Sequence, residues 1–141
     1  MCGRYFLDTL PELLAEQFRV HKYPVYPVSY NIAPTQPTLI LRRHADDTEW
    51  AWVRWGLIPH WAKEISIGAK MINARGESVA EKPAFRGAFR YRRCIIPASG
   101  FYEWRSQDGR LDELCNWEER CVDNHVYREG YSQDDFNSHV E

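Results

Sequence analysis

Thr38-Leu39-Ile40-Leu41-Arg42 followed by Glu49-Trp50-Ala51-Trp52-Val53-Arg54-Trp55 is the stretch that decides the fold. The first run is short with an apolar Leu39-Ile40-Leu41 centre, and the second is rich in tryptophan and valine, so each reads as a β-strand. The polar His44-Ala45-Asp46-Asp47 between them supplies the reversal of a hairpin. Downstream, Trp55-Gly56-Leu57-Ile58-Pro59-His60-Trp61 reads as a shaped loop with an aromatic at each end. Met71–Ala74 reads as a short strand, and Pro83–Phe89 as one or two helical turns. Arg92–Ile96 and Gly100–Trp104 form a second predicted hairpin, turned by Pro97-Ala98-Ser99-Gly100.

Upstream, Thr9 and Glu12 have the spacing of a capping box, with Pro11 in the first turn. Leu10, Leu13, Leu14 and Phe18 then predict one apolar helix face. Tyr23-Pro24-Val25-Tyr26-Pro27-Val28 is held extended or irregular by its prolines, and Asn31-Ile32-Ala33-Pro34-Thr35-Gln36 continues that loop. After Arg110 no period of 2 or 3.6 persists. Residues 111–141 are expected to form a marginal helix followed by disorder, leaving the strand that ends near Trp104 as an open edge.

A chain of 141 residues with six tryptophans, eight tyrosines and six phenylalanines suits one domain with a real core. No apolar run is long enough to span a bilayer, and no basic-then-apolar leader precedes the body. Cys2, Cys94, Cys115 and Cys121 lack zinc-ligand spacing, so neither a metal nor another cofactor is expected. A reducing cytoplasmic setting fits them best. The net charge of −2 is segregated. Residues 1–110 carry 16 Lys+Arg against 11 Asp+Glu, whereas residues 111–141 carry two against nine. A basic body of this kind can meet a polyanion, although a solvated surface gives the same count.

Chemistry centres first on Met1-Cys2-Gly3-Arg4. Once Met1 is trimmed, Cys2 presents an α-amine and a thiol two carbons apart, with reference pKa values of about 7.7–8.0 and about 8.5. Both can add to one aldehyde, the amine as an imine and the thiol by closing a thiazolidine ring. On this residue alone, an accidental cysteine beside a start codon is the commoner situation.

Six motifs in order resemble those of the SRAP (SOS response-associated peptidase) family. They are Met1-Cys2-Gly3-Arg4, Tyr30-Asn31-Ile32-Ala33-Pro34-Thr35, the Trp55–Trp61 loop, Ile72-Asn73-Ala74-Arg75-Gly76-Glu77, Arg92-Arg93-Cys94-Ile95-Ile96-Pro97 and Gly100-Phe101-Tyr102-Glu103-Trp104. The resemblance covers residues 1 to about 110. It implies an α+β, β-rich domain of antiparallel hairpins with short helices, here incomplete, with 111–141 as an acidic tail outside the family pattern. It also implies covalent capture of abasic sites in single-stranded DNA through a thiazolidine crosslink, with autopeptidase removal of the initiator methionine. By resemblance the protein works as a monomer in a bacterial, nucleoid-associated cytoplasm, without a membrane. The alternatives are a cysteine peptidase acting mainly on its own Met1–Cys2 bond, or an inactive single-strand DNA-binding module.

Carried over residue by residue, Cys2 is the nucleophile, Asn73 holds the cysteine or the ring, and Glu103 moves protons. A turn residue and a solvent-facing strand residue are the ordinary readings of the last two. Arg4, Arg75 and Arg86 are candidates for phosphate contacts. Trp61 is a candidate base-stacking platform or a core tryptophan, and Asn31 shapes the site loop. Trp50, Trp52 and Trp55 are expected in the core. The family's His-Asp-Arg-Met-Pro motif is absent, and neither His125 nor His139 matches its histidine.

Overall fold

The computed structural model describes residues 3–107, 110–116 and 122–126, with side chains over 3–102. Its chain begins with β1 (Arg4–Leu7), α1 (Pro11–Gln17) and β2 (Ser29–Ile32). The predicted hairpin follows as β3 (Pro37–His44) and β4 (Asp47–Arg54). Its pairs run from His44↔Asp47 at the turn to Pro37↔Arg54 at the open end. Thr38, Leu39, Ile40 and Leu41 are all buried, so β3 has a covered surface on both faces. A continuous apolar run rather than an alternating one is what such a central strand requires. Fully burying a side chain such as Ile40 stabilises the fold by roughly 1.5–3 kcal/mol.

A 3-10 helix (Ile65–Lys70) and α2 (Arg86–Tyr91) lead to β5 (Arg93–Ile96) and β6 (Gly100–Gln107). The last two strands exist as expected, but they are not a hairpin. β5 lies against β3, in a sheet ordered β4-β3-β5 and then β8 (Val122–Val126). β6 lies in the other sheet, ordered β2-β1-β6 and then β7 (Arg110–Asn116). All the pairings are antiparallel. Pro97-Ala98-Ser99 therefore carries the chain between sheets. Pro97 is buried and has no N–H to donate to a ladder. Ser99 anchors the crossing: its N–H donates to the Phe6 carbonyl at 2.9 Å, and its Oγ accepts from the Asp8 N–H at 3.0 Å.

The same serine explains why the capping box does not form. Thr9 Oγ1 lies 2.9 Å from Ser99 Oγ, and α1 starts from Leu10 with no side-chain cap. Pro11 does occupy the first turn. The buried helix face is Leu14 and Ala15, with Phe18 half-buried, while Leu10 and Leu13 are exposed. Met71–Ala74 is not a strand. Its carbonyls accept isolated bonds instead, Leu57 N–H to the Met71 carbonyl at 3.0 Å and Trp55 Nε1–H to the Ile72 carbonyl at 3.2 Å. The helix expected over Pro83–Phe89 begins three residues later, after turns through Lys82 and Phe85.

The core lies between the sheets. Tyr5 and Leu7 come from one sheet, Leu39, Ile40, Cys94 and Ile96 from the other, and Leu14 and Trp55 close it. Tyr5 and Trp55 rings stand 5.6 Å apart, and Phe18 meets Trp50 edge-on at 5.8 Å. Trp50 and Trp52 pack partly buried against this core, so all three tryptophans of the hairpin do the packing expected of them.

Beyond Arg110 the expectation of a marginal helix is overturned over two segments. β7 pairs with β6 from Gln107↔Arg110 to Phe101↔Asn116, and β8 pairs with β5. β6 is thus covered on both sides, by β1 and β7. The pairing of β7 follows the exposed ladder of its neighbour rather than any apolar alternation of its own. Residues 127–141 lie outside the described residues.

Candidate functional site

β1 is the element that places Arg4 to Leu7 between two other strands of a sheet. It is flanked by β2 and β6, with Tyr5↔Ile32 on one side and Arg4↔Tyr102 on the other. Cys2 itself lies outside the described residues. Glu103 is the next residue of β6 after Tyr102 and pairs with Leu114 of β7; its side chain also lies outside the described set. The register therefore places Glu103 one step beyond the Arg4↔Tyr102 pair, toward Gly3.

Around that pair the polar groups interlock across three strands. Arg4 Nη1–H donates to Asn31 Oδ1 at 2.7 Å. Tyr102 Oη–H donates to the Tyr30 carbonyl at 2.8 Å. The rings of Phe6 and Tyr102 are 5.7 Å apart. Asn31, singled out as a residue shaping the site loop, thus orients a guanidinium through its carboxamide. Arg4 is half-buried, so its fork is held rather than swinging in solvent.

The loop after β2 is fastened to the end of β4. Thr35 N–H donates to the Trp55 carbonyl at 2.9 Å, and Trp55 N–H to the Gln36 carbonyl at 3.0 Å. Arg54 Nη1–H donates to the Thr35 carbonyl at 2.8 Å. Thr35 sits at φ 73°, a left-handed conformation that a β-branched residue rarely adopts. Sequence patterning did not single out Arg54, Ser99 or Tyr102. Tyr102 lay within a quoted motif, Ser99 within the predicted turn and Arg54 beside the Trp55–Trp61 loop, but each acts through a backbone group far along the chain, which leaves no local signal.

Asn73 and Arg75 follow Ile72 and are exposed. The Ile72 carbonyl's bond to Trp55 ties this segment to the Trp55–Trp61 loop. Gly56 has φ +128°, and a Cβ there would meet the Gly68 carbonyl oxygen at 2.4 Å. Only glycine lets that loop settle on the 3-10 helix. Leu57, Ile58 and Pro59 are buried, and the chain then turns so that Trp61 emerges 51% exposed. Trp61 is therefore not a core tryptophan.

Arg86 belongs to a different place. It opens α2 and lines a pocket of about 560 Å³ with Arg90 and Arg93, rather than joining Arg4 and Asn31. Cys94 is a buried thiol, pushed up to about 12 by loss of solvent, with Arg42 pulling weakly the other way. Tyr26 is likewise raised, by burial and by the nearby Asp8 and Glu12 carboxylates, and its hydroxyl donates to the Thr9 carbonyl. Among the described residues no cluster of His, Cys, Asp and Glu could hold a metal ion, and no helix is long and apolar enough to cross a membrane. His125 holds the register position opposite Cys94, in the sheet that contains neither β1 nor β6.

Comparison with known proteins adds three findings. The family model described as SOS response associated peptidase (SRAP) matches residues 1–117. The abasic site processing proteins YoaM and YoqW of Bacillus subtilis are 44% and 45% identical over 113 and 111 residues, 78% and 77% of this chain. The chain spans about half the length of these relatives, 50% of each. A crystal structure from Bordetella bronchiseptica superposes with a TM-score of 0.66 at 27% identity, over 79% of this chain and 55% of that one.

Proposed function

Because the chain belongs to the SRAP family, we propose that it captures abasic sites in single-stranded DNA covalently, through Cys2. The observation that carries this reading is the match over residues 1–117 together with two abasic site processing proteins at 44–45% identity. The position of β1 supports it: the strand that follows Cys2 in sequence carries the Arg4–Asn31 bond and pairs with the strand that bears Glu103.

In this reading Met1 is first removed by hydrolysis of the Met1–Cys2 bond, which takes up one water and frees the α-amine. The self-cleaving activity belongs to this proposal as its preparatory step. The ring-opened abasic sugar presents an aldehyde. The amine adds to it and one water leaves, giving an imine. The Cys2 thiol then adds to the imine carbon, its proton passing to the nitrogen, and the thiazolidine closes. Glu103 carries protons for ring opening and water loss, and the neutral Asn73 amide holds the cysteine or the new ring. Arg4 and Arg75 meet phosphates, and Arg86 extends that contact. Exposed Trp61 stacks on a base beside the lesion, an interaction worth roughly 1–3 kcal/mol. The protein acts on this DNA as a monomer, in a cytoplasmic, nucleoid-associated setting.

A denaturing gel with an oligonucleotide bearing one abasic site tests the reading. The wild-type chain should give a band that survives heat. Cys2→Ser should give none, yet its imine should be trapped by borohydride. A heat-stable adduct from Cys2→Ser without reductant would remove the ring-closing thiol from the account.

A further inference from the structure

Arg86 and Arg90 stand four residues apart on α2, hence on one helix face. Arg93 follows at the start of β5, and the three guanidiniums line one pocket of about 560 Å³ with Phe89 and Tyr91. None of the three has a hydrogen-bond or ion-pair partner among the described residues. By contrast, Arg42, on the neighbouring strand β3, is neutralised by Glu49 at 2.8 Å. Gathering three like charges with no counter-ion among the described residues costs stability, since like charges four apart on a helix repel. Tyr91 is 73% exposed, and Arg90 lies over its ring, 5.2 Å from the centroid. Forked donors beside an open aromatic face are the two halves of a nucleotide-binding surface, one for phosphate and one for a base.

We propose that the α2 pocket is a second DNA subsite, in which Arg90 and Arg93 hold a backbone phosphate and Tyr91 stacks a base of the same single strand, away from the lesion. This rests on the reading above of DNA as the substrate. Ten residues separate Arg93 from Glu103, so the two places are at most about 36 Å apart, about ten nucleotides at ~3.4 Å per phosphate. One strand can therefore occupy both. Its contribution is affinity and strand direction, since the crosslink chemistry takes place elsewhere.

The test compares two abasic oligonucleotides, one with about two flanking nucleotides on each side and one with about twelve, enough to cover that span. Wild-type protein should bind the longer one more tightly. Arg90→Gln/Arg93→Gln should weaken binding of the longer one about tenfold and lower the slope of log K against log salt by about 0.7, the value for one single-strand phosphate contact. It should crosslink the short one as fast as wild type. Arg90→Lys/Arg93→Lys should retain the slope, which separates lost charge from lost folding. Tyr91→Ala should weaken the long complex without changing the slope. Unchanged affinity and slope in the glutamine variant, or equal losses in the glutamine and lysine variants, would overturn the subsite. If wild type forms no heat-stable adduct with either probe, the capture reading fails. The subsite is then still read from the salt slope on a long oligonucleotide without a lesion.

Discussion

Burial pushes the Cys94 thiol up to about 12, from an ordinary value of 9.0. The folded state thus keeps a proton that the unfolded state releases above about pH 9. The stability linked to this thiol is complete below pH 9 and is lost progressively as the pH climbs toward 12. Cys94→Ala should flatten that alkaline decline in urea melts at stepped pH, and a decline identical to wild type would reject the assignment. A neutral buried thiol is also a poor nucleophile, so Cys94→Ala should leave crosslinking intact. Thr38 offers a second residue-scale test. It is fully buried, and its hydroxyl has no hydrogen-bond partner among the described residues. Thr38→Val replaces that hydroxyl with a methyl of similar size and should raise stability by about 1 kcal/mol. A loss of stability in denaturant melts would mean that the hydroxyl has a partner. At this scale the site was readable where a motif is local. Met1-Cys2-Gly3-Arg4 and Tyr30-Asn31 were singled out separately, and the structure joins Arg4 to Asn31. The Tyr102 bond to the Tyr30 carbonyl was not readable, because it spans 72 residues and leaves no periodic trace.

Among the elements, α1 ends in a Schellman arrangement. Val20 N–H reaches the Ala15 carbonyl at 2.9 Å and Arg19 N–H the Glu16 carbonyl at 3.1 Å, with Arg19 left-handed at φ 54°. That position favours glycine, so Arg19→Gly should stabilise the fold by about 0.5–1 kcal/mol, measurable as a higher denaturation midpoint. Gly56→Ala should act in the opposite sense, by about 2–3 kcal/mol, because its Cβ would strike the Gly68 carbonyl. A neutral result would show that the loop can lift off the 3-10 helix. The β3–β4 hairpin was legible because both strands and the turn lie within one short window. The supposed hairpin of β5 and β6 misled for a physical reason. A proline-serine turn between two apolar strands looks the same whether the strands pair with each other or cross between sheets. Only the distant partner, here the Phe6 carbonyl that receives Ser99 N–H, decides. β7 and β8 escaped detection likewise, since their pairing is dictated by β6 and β5.

The molecule as a whole combines a basic body, an exposed Trp61 and a first strand, β1, held between two neighbours in a sheet. Affinity for single-stranded DNA should fall with added salt, and Arg75→Ala should weaken binding equally across sequences. Equal affinity for intact duplex and single strand would count against Trp61 as a stacking platform. His125→Ala should leave the crosslinking rate unchanged, because its register position lies opposite Cys94, in the other sheet. The central claim is that one cysteine contributes both its nitrogen and its sulfur to one aldehyde. The intact mass of the protein–oligonucleotide adduct tests it most directly. The account predicts the sum of the Met1-less chain and the oligonucleotide less one water, with tandem fragmentation placing the bond at Cys2. An adduct that retains Met1, a bond mapped to another residue, or two separate unmodified masses would contradict it.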